Sequence, residues 1–296
     1  MQTIDDRHAL RDGLIAISAF AATLPLTRVA LEGFSPLALT FGRLLGASVM
    51  AMLMLKLVGA HLPKRHQIPG LLLVALGGVF GFPLLTAIAL EGRDAAPAAI
   101  PLALMPLATA AWSRLRGHEL PSPAFWFWAI AGSGLVLLFI WQRGSAVEAN
   151  ILMIAGVAAA IAYAEGGRLA RQMPGWQVMA WALTMATPIA AIGFGYSWAP
   201  ISLPTIPAPW LALAFLALVS QFGAFLFWYR SLATGVSRAS QLQLLQPFLT
   251  LLLASLLLKE TIPVELWLYG AAVVVTVHLA RSRRQPTPQP VEETTP

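Results

Sequence analysis

The sequence is a succession of apolar runs, each about as long as a bilayer-crossing helix needs, separated by short polar or proline-containing breaks. The runs predict ten transmembrane helices, over 13–31, 37–59, 69–90, 95–115, 124–142, 149–170, 177–198, 209–231, 237–258 and 263–281. In a 296-residue chain, 58% hydrophobic residues against 11% charged ones is a balance that no soluble core can hide from water. The lipid bilayer is therefore the first expected partner. Ten spans of about 20 residues leave no room for a separate catalytic domain.

Prolines recur inside the runs, at Pro25, Pro83, Pro101, Pro106, Pro188 and Pro247. A membrane helix tolerates them because neighbouring helices satisfy the freed carbonyls, so kinked helices are expected. Residues 1–12 read as a cytoplasmic N-terminal segment without a small-residue cleavage site, and no removable signal peptide is expected. The absence of cysteine removes disulfides, thiolate metal sites and thiol catalysis.

A net charge of +6 and a pI near 10.3 do not point to nucleic acid, because the basic residues are scattered between spans and form no basic face. They follow the positive-inside rule instead. With the N-terminus inside, the inner flanks hold Arg7, Arg11, Lys56, Lys64, Arg65, Arg114, Arg116, Arg168, Arg171, Arg230, Arg238, Arg281, Arg283 and Arg284, and the outer flanks only Arg93, Arg143 and Lys259. Both termini are expected in the cytoplasm of a bacterial inner (plasma) membrane. All ten tryptophans fall near predicted span ends, as interfacial anchoring predicts. The polar, proline- and threonine-rich residues 285–296 read as a disordered cytoplasmic tail.

The two halves resemble each other. Ala95-Ala-Pro-Ala-Ala-Ile-Pro-Leu-Ala-Leu-Met-Pro106, followed by Gly117-His-Glu119, corresponds to Val236-Ser-Arg-Ala-Ser-Gln-Leu-Gln-Leu-Leu-Gln-Pro247, followed by Lys259-Glu260. Pro106 to Pro247 and Glu119 to Glu260 are both offsets of 141, and Arg28 to Arg168 is one of 140. Repeats over 13–142 and 149–281 hold five spans each, an odd number, so the second copy enters the membrane upside down. Such inverted repeats place a site near the bilayer midplane where they meet.

These segments, with Glu32-Gly-Phe-Ser-Pro36 and Leu37-Ala-Leu-Thr-Phe-Gly-Arg43, resemble the EamA branch of the drug/metabolite transporter superfamily from about residue 13 to 281. The resemblance implies an all-α basket of ten helices, with a central cavity formed by helices 1, 3, 4, 6, 8 and 9. It also implies export of small metabolites such as amino acids. The family's Gly-Glu turn reads Gly-His-Glu119 here, and Lys-Glu260 in the second copy.

Residues near the middle of those six helices are Phe20, Thr23, Phe82, Thr86, Leu102, Met105, Tyr163, Gln221, Phe222, Phe225, Gln243 and Gln246. An amide in hydrocarbon is costly unless it meets a partner, so the three glutamines hold either a substrate group or a neighbouring helix. The aromatic rings and Met105 serve either packing or the apolar side chain of a substrate. Tyr163 combines both characters. Among ionisable residues within spans, Glu165 either pairs with Arg168 three residues on or couples protons. Arg28 can snorkel and meet Glu32, and Arg43 is expected to pair near the outer rim, with a gating role open to it.

The reading is a secondary transporter exporting small uncharged or zwitterionic metabolites, amino acids foremost and hydrophobic and aromatic ones among them, by alternating access, as a monomer or weak homo-oligomer. The alternatives are a passive channel and a membrane-embedded enzyme. For the enzyme, the five histidines all lie near ends or in loops, and no metal site, cofactor or phosphate cradle is implied.

Overall fold

A computed structural model describes residues 2–116, 123–143, 146–198, 204–234 and 242–282. The Gly117-His-Glu119 turn, residues 236–241 of the repeat segment and the 285–296 tail lie outside the described residues. The described residues contain helices and no strand: α1 (Gln2–Ala21), α2 (Thr23–Ala30), α3 (Pro36–Val58), α4 (Ile68–Val74), α5 (Phe82–Leu90), α6 (Ala99–Leu102), α7 (Met105–Leu115), α8 (Pro123–Arg143), α9 (Ala146–Leu169), α10 (Gly175–Trp198), α11 (Pro207–Ala214), α12 (Ala224–Thr234), α13 (Gln246–Leu258) and α14 (Val264–Ser282). Two π-helical stretches, Ala75–Gly81 and Phe215–Gly223, join α4 to α5 and α11 to α12.

Six continuous helical stretches are long and apolar enough to cross a membrane: Leu10–Ala30, Pro36–Val58, Arg65–Leu90, Val147–Leu169, Gly175–Trp198 and Pro207–Ser231. Shorter apolar helices cover Ala99–Thr109, Trp126–Gln142, Gln243–Leu258 and Val264–Leu279. Their outward faces are apolar as well: Ile192, Leu211 and Trp141 are 76%, 69% and 79% exposed. Such a surface suits lipid and not water, and the chain is a multi-pass membrane protein.

Helix ends follow local sequence. Ser35 accepts a hydrogen bond from the Ala38 N–H (3.3 Å) at the start of α3, with Pro36 in the first turn, where its missing N–H costs nothing. Gly59 closes α3 in the left-handed region (φ 63°), which only glycine adopts without a steric cost. Most in-span prolines stand beside breaks, but Pro188 lies inside the unbroken α10. A turn at Ala22 separates α1 from α2 just before Pro25, and the span expected over 95–115 divides into α6 and α7 at Ala103–Leu104. Pro83 and Pro247 open α5 and α13 behind a π-helical stretch and a 3₁₀ turn (Gln243–Leu245). Residues 2–12, expected as a separate segment, continue α1.

The main packing partners are α1 with α12, α2 with α11, α9 with α4 and α5, α3 with α10, α8 with α14, α7 with α9, and α13 with α1. Exchanging α1–α2 for α9, α3 for α10, α4–α5 for α11–α12, α6–α7 for α13 and α8 for α14 leaves this set of pairs unchanged. Close approach rests on small residues: a Cβ on Gly77 would run into the Ala158 carbonyl of α9, so no side chain is admissible there. In lipid, where hydrophobicity does not drive helices together, such seams supply van der Waals contact.

Polar ties join distant parts of the chain. Asp12 pairs with Arg11 (3.0 Å) and Arg230 (3.4 Å), and Glu165 with Arg116 and Arg168. Arg93 pairs with Glu148 at 2.6 Å. The backbone turns at Lys259 through the left-handed region (φ 56°), and the carboxylate of Glu260 accepts hydrogen bonds from the N–H groups of Ala95 (2.8 Å) and Ala96 (2.9 Å). Arg28 meets Glu32 at 3.8 Å, the four-residue pairing expected. One tryptophan departs from interfacial anchoring. Trp228 is 2% exposed and stands 6.2 Å from Phe20 and 6.4 Å from Tyr163, ring to ring, because its helix turns that face inward.

Candidate functional site

The buried apolar residues form two main cores, one around α6–α8, α13 and α14 and one around α1, α3, α10 and α12. Tyr163 of α9 packs against both. Between them lies a cavity. Each helix irregularity feeds it. The turn at Ala22 presents Phe20, Thr23 and Leu24, the first π-helical stretch presents Gly78 just before Phe82, and the second presents Ser220 and Gln221 just before Phe225. Leu102 and Met105 come from the break between α6 and α7, Ala159 and Tyr163 from α9, and Gln246 from the first turn of α13. π-Helical turns widen the backbone and are frequent at functional sites.

One wall is aromatic. Phe20 meets Phe225 edge-on at 4.9 Å, and Tyr163 lies 5.9 Å from Phe225 and 6.4 Å from Phe20. The lining also holds polar groups. Thr23 and Ser220 share a hydrogen bond of 2.8 Å between their hydroxyls, and Arg43 of α3 donates from Nη2 to Ser220 Oγ at 3.4 Å. Arg43 is 5% exposed, its Nε is buried without a partner, and it has no carboxylate partner among the described residues.

The glutamines divide. Gln221 is 1% exposed and donates from Nε2 to the carbonyls of Gly78 and Val79, both at 3.3 Å. It lines the cavity, yet its amide nitrogen is spent tying one π-helical stretch to the other. The Gln246 side chain has no hydrogen-bond partner among the described residues and borders both this cavity and a second one, which Gln243 lines with Pro247 and Thr250.

The EamA-like transporter family matches this chain twice, over residues 13–145 and 147–281. The chain belongs to the EamA-like transporter family. The uncharacterized transporter YdeK of Bacillus subtilis (strain 168) is similar to it, 41% identical over 278 residues that cover 91% of this chain and 96% of YdeK. A solved protein crystal structure shares the fold over 93% of this chain and 97% of its own, with a TM-score of 0.61 and 22% identity.

The two EamA domains bring most of the sequence-selected residues together: Phe20, Thr23, Phe82, Leu102, Met105, Tyr163, Gln221, Phe225 and Gln246 all line the one cavity. Others stand elsewhere. Thr86 is fully buried off the cavity, its hydroxyl turned back onto the carbonyls of Phe82 (2.7 Å) and Pro83 (3.1 Å). Phe222 lies within the α1/α3/α10/α12 core. Glu165 sits away from the cavity with Oε1 accepting from Arg116 Nε (2.9 Å) and Trp112 Nε1 (3.2 Å) and Oε2 from Arg168 Nε (2.9 Å). The ion pair with Arg168 is thus one part of a larger cluster. Arg43 is displaced from expectation in the other direction: it faces the central cavity and not an outer rim, because its position along α3 says nothing of which way that helix is rotated. Sequence reasoning missed Ser220, Gly78, Leu24 and Ala159. Only Ser220 carried a signal, as a hydroxyl beside Gln221 in an otherwise apolar run.

Proposed function

We propose that this EamA-family protein is a secondary transporter of the bacterial plasma membrane that exports small, amphipathic, uncharged or zwitterionic metabolites. Amino acids with apolar or aromatic side chains are the favoured class. The observation that carries the reading is the cavity between the two cores, whose lining combines the aromatic rings of Phe20, Tyr163 and Phe225 with the polar groups of Arg43, Ser220, Thr23 and Gln246. The rings suit an apolar side chain, and the polar groups suit a polar end.

Ten spans in two inverted repeats are part of the proposal. They are supported by the double family match, by the set of packing pairs that survives exchange of the halves, and by π-helical stretches at corresponding positions, 75–81 and 215–223. The polar ties support the same topology. Each joins residues that ten alternating spans bring to a common face, the Asp12 and Glu165 clusters on the face assigned to the cytoplasm with both termini. Rocking of one repeat against the other opens the cavity to alternate sides, and no enzymatic step is assigned to it.

The protein works as a monomer or weak homo-oligomer, with the bilayer and its substrate as its partners. Counterflow in liposomes loaded with L-phenylalanine or L-leucine tests the reading: saturable exchange of labelled amino acid is expected. Flux that neither saturates nor exchanges would make it a passive channel.

A further inference from the structure

We infer that Arg43 is the receptor for the substrate's carboxylate, and that the cavity selects carboxylates with an apolar body whether or not they carry an amino group. The inference rests on the transport reading above and narrows its substrate class.

A guanidinium holds five N–H donors and keeps its charge in proteins. Buried among helices with no acid beside it, such a group is expensive, and intramembrane cations ordinarily pair with one another's counter-ions or with carbonyls. Arg43 does neither among the described residues. Its single hydrogen bond, 3.4 Å to Ser220 Oγ, is long, and that hydroxyl is already engaged with Thr23 at 2.8 Å. Its Nε is buried and unpartnered.

The buried acids among the described residues are committed elsewhere. Both oxygens of Glu165 accept from Arg116, Arg168 and Trp112, and Asp12 holds Arg11 and Arg230. No carboxylate lines the cavity among the described residues. A planar anion entering there meets a fork of donors whose geometry matches a carboxylate, with Thr23 and Ser220 beside it.

The rest of the substrate is defined by what faces Arg43. The rings of Phe20, Tyr163 and Phe225 receive an apolar or aromatic body. An ammonium group finds no carboxylate among the described lining residues, only neutral acceptors: the hydroxyls of Thr23, Ser220 and Tyr163, the amides of Gln221 and Gln246, and ring faces. The amino group therefore adds little, and a deaminated analogue is held at least as well as the amino acid.

Four probes of one shape decide the matter: 3-phenylpropionate, L-phenylalanine, 3-phenylpropanamide and 2-phenylethylamine. Each is tested for thermal stabilisation of the purified full-length protein and for counterflow in proteoliposomes. The two carboxylates are expected to bind, 3-phenylpropionate at least as tightly as L-phenylalanine, and the amide and amine about 10- to 100-fold more weakly, the range for a lost charge-assisted hydrogen bond.

Arg43→Gln is expected to bring carboxylate and amide to parity, and Arg43→Lys, a point charge without the fork, to restore part of the preference. The wild-type series needs no variant, so a misfolded variant does not blunt the test. If the amide or amine matches the carboxylates in the wild type, or if folded Arg43→Gln keeps the carboxylate preference, the inference falls while the transport reading stands. If the folded wild type neither binds nor exchanges any of the four, both fall.

Discussion

Arg43 and Glu165 are both ionised side chains buried within spanning helices, and their surroundings are opposite. Glu165 receives three hydrogen bonds, each 3.2 Å or shorter, from two arginines and a tryptophan. Arg43 has one contact at 3.4 Å and a bare Nε. A buried charge whose bonding capacity is filled by its own protein holds helices together, here α7 to α9. A buried charge left open is a cost that the fold alone does not explain, and it marks where a ligand completes the set. Depth in the membrane does not separate the two cases; the count of partners does.

The largest effect expected of this contrast is on stability. Glu165→Ala leaves Arg168 and Arg116 without their shared acid and should cost about 3 kcal/mol, at the low end for a broken buried pair because Arg116 is half exposed. Melting in detergent, followed by tryptophan fluorescence, measures it. Counterflow per folded molecule should persist in Glu165→Gln. Lost flux at unchanged stability would instead make Glu165 a proton-coupling group and erase the contrast.

Arg43→Gln should do the reverse. Melting is expected no lower than in the wild type, since a poorly satisfied charge is removed, while the concentration of 3-phenylpropionate giving half-maximal counterflow rises about 10- to 100-fold. A drop in melting comparable to that of Glu165→Ala would show that Arg43 is structural after all.

The glutamines repeat the contrast on a smaller scale. Gln246→Ala should weaken binding about five- to tenfold, the range for one neutral hydrogen bond, with little change in melting. Gln221→Leu should cost about 1 kcal/mol of stability through loss of its bonds to Gly78 and Val79. Smallest of all, Thr86→Val should change melting and flux by less than about 0.5 kcal/mol, because its hydroxyl only caps carbonyls of its own helix. Any clear effect of Thr86→Val on flux would return that residue to the cavity.

Much of this was legible in the sequence, for definite reasons. Apolar length located the helices, and prolines located several of their breaks, because a missing N–H acts on the preceding turn wherever the helix sits, though the Phe215–Gly223 stretch has no proline and α10 runs unbroken through Pro188. Choosing mid-span residues on the six cavity-forming helices found Phe20, Phe82, Met105, Tyr163 and Phe225, because a midplane cavity draws on that layer whatever the details. Rotation about each helix axis was not legible. Arg43 was given a depth without a direction, Thr86 shares a face with Phe82 but lies a turn beyond the opening, and Trp228 reads as interfacial until α12 is seen to turn it inward. The π-helical stretches add to the difficulty, since each wide turn shifts the faces of all that follows by a fraction of a turn.

Those two stretches have a mechanical consequence. Gln221 bolts one to the other across the centre of the molecule, two bonds from one amide to adjacent carbonyls. Two rods fastened at mid-length behave as scissors: their ends swing widely while the fastening barely travels. The rocking proposed for the halves must turn about that bolt or shear it, and turning about it would leave the residues beside it, Ser220 and Gly78, in place.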